Sequence, residues 1–353
     1  MARPAAFRLS LSPILRLRKM GMIFLGRVRR EGRESPKGSH PCVHLGCLLG
    51  ANFVHPSGPS RLTRLIRPSR LSLLILVACR SPSVPSGTIS IVDDAGDTVR
   101  LAAPAGRVVS LIPATTELLF AIGADSFVVG RTSYCDYPAR AKAVRNLGDG
   151  IKPNIEAVIS SKPDLVILYN SGQNAAVAGR LQELGVATVR LNTDALSSVP
   201  RIAGLLGRLT AREKAADSVA SVFDTALAAA TVNPRSPRPR VLLLVWEQPP
   251  MTIGRGSFLN ELVERAGAEN LFADVAGTDG VVSIEAVAAR DPDLVFTTAE
   301  GPSGFARRPE WQVVRAVREK RYLHFTGSQF SRPGPRSPMA IRELTTKLRA
   351  VTP

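Results

Sequence analysis

The chain has 353 residues, enough for two ordinary domains, and its 44% hydrophobic and 5% aromatic content is typical of a globular protein. Its formal charge of +17 is concentrated in residues 1–78, which carry 14 Lys and Arg against 2 Asp and Glu, whereas residues 79–353 carry 32 against 27. Because the basic excess belongs to the first segment, and no RNA-recognition, zinc-finger or basic-aromatic pattern follows it, nucleic-acid binding is not predicted.

Residues 1–78 have the character of a leader. Residues 1–55 show no sustained periodicity and are predicted to be a spurious or disordered extension, because a signal peptide ordinarily begins near the start of a chain. Residues 56–78 combine arginines with the apolar run 71–78, which predicts a signal peptide and is too short for a permanent membrane span. Residues 79–88 follow as a tether rich in Ser and Pro.

The predicted signal peptide ends at a cysteine. Residues 76–79 read LVAC and resemble the lipobox of bacterial lipoproteins, in which Cys79 becomes lipidated and starts the mature chain. A buried strand, or a cleaved signal peptide with a chance cysteine, is the alternative. Lipidation of Cys79 would imply an exported protein, anchored by lipid in the periplasm or at the outer face of the cytoplasmic membrane.

Residues 89–194 predict a first α/β lobe. Residues 88–101 form a hairpin pattern around turn residues 94–97, and strands then alternate with helices. Predicted strands lie at 107–111, 128–130, 165–168 and 186–191, and predicted helices run from Thr115 to Gly123, over 155–160 and over 175–184.

One unit occurs twice, offset by 129 residues. Residues 154–166 read NIEAVISSKPDLV and residues 283–295 read SIEAVAARDPDLV. Each copy predicts a helix, a turn and a buried strand. The duplication indicates two similar lobes, and two lobes imply a ligand cleft.

Residues 195–232 have apolar side chains at helical spacing and predict one linking helix of about 30 residues, about 45 Å long. Residues 233–353 predict the second lobe, from a strand at Arg240 to a final helix over 338–348. The predicted fold class is therefore α/β, with two similar sandwich lobes joined by a single long helix and the ligand cleft between them.

Several segments resemble the substrate-binding proteins of ABC importers for cobalamin, siderophores and haem, and look most like the cobalamin binders. The likeness covers about residues 89–350, with the segments in the same order: 107–123, 133–138, 154–158, 162–167, 254–262 and 267–274. It implies a monomeric carrier with little hinge closure, which delivers a small-molecule metal chelate to a permease served by an ATPase subunit.

The resemblance gives the repeated glutamates a role. Glu156 and Glu285 match the surface residues that pair with permease arginines in this family, and two spaced charges suit an oriented contact. The alternative is that each glutamate only favours the start of its own helix.

The resemblance also implies a ligand. Cobalamin binders hold the corrin with aromatic side chains, and a corrinoid is expected as the transported ligand, with no resident cofactor. Tyr134 and Tyr169 match two such positions, and three further residues lie near others: Trp246, Met251 and Phe330. Gly150 and Asp279 depart from the pattern, because the best-known cobalamin binder has Trp at both positions. Half-buried loop packing is the alternative for both tyrosines.

A ferric siderophore or haem would be bound by other residues. A ferric siderophore favours cleft cations, for which the candidates are Arg131, Arg255, Arg307, Arg308 and Arg332. Haem favours an axial ligand such as His324, which falls in a predicted strand. No metal site is predicted, because Cys135 is a lone cysteine and the His/Cys group at 40–47 fits no zinc template.

Enzyme and sensor functions are weaker alternatives on the same scaffold. The sequence contains no Gly-x-x-x-x-Gly-Lys-Ser/Thr, His-Glu-x-x-His or Gly-x-Ser-x-Gly motif. We therefore predict a protein that is not an enzyme.

Overall fold

The computed structural model describes residues 88–233, 237–297 and 304–351, which form two α/β lobes. The leader, with the predicted lipidation site at Cys79, lies outside these residues. Among the described residues, no helix is both long enough and apolar enough to cross a membrane.

The predicted hairpin is confirmed. Strands β1 (Ile89–Val92) and β2 (Thr98–Leu101) pair antiparallel. Asp93 stabilises the turn, because its carboxylate accepts the backbone N–H groups of Ala95 and Asp97 at 2.9 Å each.

The N-terminal lobe contains a four-stranded parallel sheet in the order β4-β3-β5-β6. Its strands are β3 (Val108–Ser110), β4 (Val128–Arg131), β5 (Leu165–Tyr169) and β6 (Ala187–Leu191), and its helices are α1 (Pro113–Ala121), α2 (Ile155–Ser160) and α3 (Gly172–Glu183). The strands are apolar runs because a parallel sheet is covered on both faces. The helix predicted to open at Thr115 begins two residues earlier, because Pro113 suits the first helical position.

The duplicated unit keeps its geometry in both copies, which confirms the predicted helix, turn and strand. Asn154 caps α2 by accepting the N–H of Ala157 at 3.0 Å, and Ser283 caps α7 (Ile284–Arg290) by accepting that of Ala286 at 3.1 Å. The turn residues repeat as well, because Lys162 and Asp291, 129 positions apart, have φ values of +47° and +45°.

The prediction of one continuous linking helix is wrong. The segment forms α4 (Ser198–Thr210) and α5 (Glu213–Ala230), separated by Ala211 in the left-handed conformation at φ 53°. The two helices pack together so closely that a Cβ atom on Gly207 would lie 2.6 Å from that of Ala216. The break contains neither Gly nor Pro, so the sequence has no helix-breaking residue there and the apolar periodicity continues across it. Helix α5 by itself is about 27 Å long, shorter than the predicted linking helix.

This break predicts a stabilising substitution. An alanine in the left-handed conformation costs about 1–2 kcal/mol. This strain exceeds the free energy lost when glycine, with its larger conformational entropy in the unfolded chain, is ordered on folding. We expect Ala211→Gly to raise the free energy of unfolding by about 0.5–1 kcal/mol, measured by urea denaturation. The matched control Ala220→Gly, inside α5, should lower it by about 1 kcal/mol. A decrease of similar size in both variants would contradict the break.

The C-terminal lobe contains a six-stranded mixed sheet. Its order is β10-β8-β7-β11-β12, with β9 beside the start of β7. The strands are β7 (Arg240–Glu247), β8 (Pro250–Ile253), β9 (Glu269–Asn270), β10 (Asp279–Val281), β11 (Leu294–Thr297) and β12 (Tyr322–His324). Its other helices are α6 (Phe258–Arg265), α8 (Arg315–Arg318) and α9 (Ser337–Val351). The strand predicted around His324 is thus confirmed.

One apolar cluster runs through both lobes. Helix α4 packs on α1, and α5 packs on α9. The cluster includes a buried residue from each of five elements: Leu118, Leu206, Phe223, Leu243 and Ile341. Moving one lobe relative to the other would expose part of this apolar surface to water. Each Å² exposed would cost about 25 cal/mol of free energy, which opposes the motion.

Candidate functional site

Loops from the carboxyl edges of the two sheets contact each other. Strands β3 to β6 are parallel, as are β7, β11 and β12, so each set ends at one edge of its sheet. The segment after β12 reaches the loop after β4, where Arg332 donates to the backbone carbonyl of Tyr134 at 3.2 Å. Because α/β proteins bind ligands outside the carboxyl ends of their strands, the space between these edges is the candidate cleft.

The two predicted tyrosines lie at the N-lobe edge. Tyr169 ends β5 and Tyr134 lies in the loop after β4, and both are half-buried. Tyr169 donates its hydroxyl to Asp194 at 2.7 Å. Burial and this carboxylate raise the pKa of Tyr169 well above its ordinary value, so the ring stays neutral at physiological pH.

Trp246 and Met251 lie at the C-lobe edge. Trp246 is near the end of β7 and pairs in register with Met251 on β8. Trp246 is 36% exposed, and its indole N–H already donates to the carbonyl of Gln248 at 2.7 Å. The exposed part of this ring is therefore an apolar surface that needs no further polar partner.

Phe330 does not lie on the cleft surface, contrary to the prediction. It is 2% exposed, and its ring centroid lies 4.9 Å from that of Phe325. The Phe325 ring in turn lies 4.5 Å from that of Phe296, centroid to centroid, and is tilted against it. Phe330 therefore belongs to the core behind the C-lobe edge.

The two departures from the cobalamin-binder pattern have different settings. Gly150 has φ +77°, and a Cβ atom there would lie 2.8 Å from the carbonyl oxygen of Leu111, so the position excludes any side chain. Asp279 starts β10, pairs in register with Ile253 and accepts the Thr278 hydroxyl at 2.7 Å.

A buried ion-pair cluster joins the lobes, and no local sequence pattern indicates it. Glu117, which falls in the helix predicted from Thr115 to Gly123, is 3% exposed. Its carboxylate accepts from Arg332 at 2.8 Å and from Arg336 at 2.6 and 2.9 Å. Arg332 also pairs with Asp136. Burial acts to raise the pKa of Asp136, but the hydrogen bond and charge of Arg332 outweigh it and hold that pKa below its ordinary value.

Three of the five arginines predicted for a siderophore site are already engaged. Arg131 is buried and donates to four backbone carbonyls, Arg308 lies 3.5 Å from Glu247, and Arg332 belongs to the interlobe cluster. Arg255 and Arg307 are exposed. Arg255 does not face the cleft, contrary to the prediction, because it follows the end of β8 that lies beside the start of β7, at the opposite edge of the sheet. Three guanidinium groups are therefore paired within the protein instead of facing an anionic ligand.

Cys135 and the haem-ligand candidate His324 lie in separate settings. Cys135 is fully buried, with its sulfur 3.0 Å from the Thr116 hydroxyl. His324 is half-buried on β12. Among the described residues, no three His, Cys, Asp or Glu side chains form a group that could hold a metal ion.

Glu156 and Glu285 occupy equivalent, accessible positions. Each is the second residue of its helix, α2 or α7, and each is exposed. Within the described chain, neither forms an ion pair. Backbone and Ser283 hydrogen bonds lower the pKa of Glu285, so it is ionised at neutral pH.

Comparison with known proteins agrees with this geometry. Residues 108–327, more than half of the chain, match the model of the periplasmic binding protein family. The chain is 27% identical over 299 residues to the uncharacterized ABC transporter substrate-binding lipoprotein YvrC of Bacillus subtilis, covering 79% of this chain and 94% of that protein.

Solved structures also share the fold. One is the periplasmic vitamin B12 binding protein BtuF of Vibrio cholerae, with a TM-score of 0.61 and 26% identity over 70% of this chain and 98% of the other. The second is a possible iron-binding periplasmic solute-binding protein of Staphylococcus epidermidis, with a TM-score of 0.61 and 28% identity over 69% and 98%.

Proposed function

Because the chain belongs to the periplasmic binding protein family, whose members here include substrate-binding proteins of ABC transporters, we propose that it captures a corrinoid in the interlobe cleft. It then delivers this ligand to a membrane permease driven by an ATPase subunit. Binding and release of the ligand are its whole task, with no catalytic step.

The pairing of apolar surfaces at the two edges carries the ligand proposal. Tyr134 and Tyr169 lie at the N-lobe edge, and Trp246 and Met251 at the C-lobe edge. A corrin ring is large and flat with an apolar rim, so rigid aromatic surfaces bind it with little loss of side-chain entropy. The engagement of Arg131, Arg308 and Arg332 within the protein also favours a ligand without strong anionic charge.

Export and docking complete the proposal. Cys79 carries the lipid anchor, as the lipobox-like residues 76–79 suggest. Glu156 and Glu285 orient the carrier on its permease, since they are equivalent, exposed and free of ion pairs in the described structure. The carrier acts as a monomer, with one docking glutamate on each lobe.

A ligand titration tests the corrinoid assignment. We expect purified protein lacking the leader to show saturable quenching of tryptophan fluorescence with cyanocobalamin and cobinamide, and weaker responses to haem and ferric siderophores. Absence of corrinoid binding at high micromolar ligand would refute the assignment.

A ferric siderophore is the second candidate ligand. It is favoured by the likeness to the possible iron-binding protein of S. epidermidis and by the exposed Arg307. Preference for a ferric siderophore in the same titration would keep the carrier function and move the ligand contacts to Arg307.

A further inference from the structure

We propose that Glu117, Arg332 and Arg336 form an interlobe clamp that holds the loop of residues 132–138 in place and thereby sets the shape of the ligand cleft. In this proposal the arginines are positioning residues. They act on the ligand through Tyr134, which lies in that loop.

The clamp joins the lobes through buried charge. The side chain of Glu117 is 2% exposed, and those of Arg332 and Arg336 are 12% and 11% exposed. Glu117 lies on α1 in the N-lobe, whereas both arginines follow β12 in the C-lobe. A buried carboxylate without a partner is strongly unfavourable, so separation of the lobes at this point is opposed by the loss of both partners.

The arginines hold the loop at three residues. Arg332 donates to the carbonyl of Tyr134 and pairs with Asp136. The Arg336 guanidinium lies 4.1 Å from the centroid of the Tyr137 ring. The backbone that carries Tyr134 is therefore tied to the opposite lobe.

The C-lobe side of the clamp is itself fixed. Arg336 donates to the Ser328 hydroxyl at 2.9 Å and to the Gln329 side chain at 3.1 Å. Its carbonyl accepts the N–H of Ala340 in α9, which packs against α5. The guanidinium thus has a rigid base from which to position the loop.

A preset loop lowers the cost of binding. The clamp orders residues 132–138 before the ligand arrives, so binding does not have to supply that ordering free energy. If the loop were disordered most of the time, apparent affinity would fall in proportion to the competent fraction. The effect on affinity rests on the proposed corrinoid function, whereas the effect on the loop does not.

Hydrogen exchange of the ligand-free full chain, read by mass spectrometry, tests the clamp without assuming a ligand. We expect Glu117→Gln and Arg332→Ala to accelerate exchange in residues 132–138 at least tenfold, with α3 unchanged. Arg308→Ala is the matched control, because its partner Glu247 lies in the same lobe. It should leave the loop at the wild-type rate.

Two milder variants keep the test decisive if Glu117→Gln fails to fold. Asp136→Asn removes a half-exposed partner, and Arg332→Lys keeps a charge but cannot serve Glu117, Asp136 and the Tyr134 carbonyl together. Each should accelerate loop exchange several-fold, and Arg332→Lys should weaken cyanocobalamin binding about threefold.

Loop exchange within twofold of wild type in both milder variants would overturn the clamp. So would equal acceleration along the whole chain, because that indicates only general destabilisation. Failure of wild-type protein to bind cyanocobalamin would instead count against the proposed ligand and leave the exchange result standing.

Discussion

Replacing both Glu156 and Glu285 with alanine is expected to abolish ligand uptake while leaving ligand binding intact. Both carboxylates are exposed at the starts of equivalent helices, and the described structure gives neither an ion pair. Charge-assisted hydrogen bonds to arginine are strong and directional, so two of them fix how a carrier sits on its permease. We expect uptake in the native host to fall at least tenfold, with the Kd for ligand within twofold of wild type.

Two other exposed glutamates provide the control. Glu183 lies on α3 in the N-lobe and Glu310 in a 3-10 turn of the C-lobe, so Glu183→Ala with Glu310→Ala removes the same charge from each lobe. This control should retain uptake. Each single docking variant should show an intermediate loss. Full uptake by the Glu156→Ala/Glu285→Ala protein would remove the docking role and leave these residues as stabilisers of their own helices.

Loss of an aromatic side chain from the cleft is expected to weaken corrinoid binding strongly. Tyr169→Ala and Trp246→Ala each remove one aromatic surface, from the N-lobe and C-lobe edges respectively. Truncation of a central aromatic contact commonly costs about 1.4–2.7 kcal/mol, which is about 10- to 100-fold in Kd. Isothermal titration with cyanocobalamin measures this change directly.

Two conservative variants separate a ligand contact from general packing. Tyr169→Phe keeps the ring and loses only the hydrogen bond to the exposed Asp194, so its Kd should stay within threefold of wild type. Phe330→Leu alters the core, and we expect it to lower the free energy of unfolding by about 1 kcal/mol without a large change in Kd. Wild-type affinity in both alanine variants would place the ligand elsewhere.

The duplicated unit could be predicted from sequence because its determinants are local. Asn154 and Ser283 cap helices through N–H groups three residues away, and a short apolar run after Pro-Asp is enough to indicate a buried strand. The same locality placed Glu156 and Glu285 at exposed helix starts. Tyr134, Tyr169, Trp246 and Met251, by contrast, became ligand candidates only through the resemblance to the family.

Other features depended on tertiary contacts. Ala211 breaks the linking segment, although the apolar periodicity continues through it, because α4 and α5 pack on each other. The sequence around Phe330 does not indicate that this side chain is buried. Its burial comes from packing against Phe325 and the surrounding core.

The charges show the same division most clearly. Their number and sign can be read from the sequence, and so can the concentration of the basic excess in residues 1–78. Which charges neutralise each other depends on the fold, because Glu117 meets Arg332 and Arg336 across separations of 215 and 219 residues. Local pattern thus determined most of the secondary structure and the division into two lobes. The interlobe contact and the wall of the cleft depended on the tertiary structure, because a buried carboxylate is tolerated only where distant arginines pair with it.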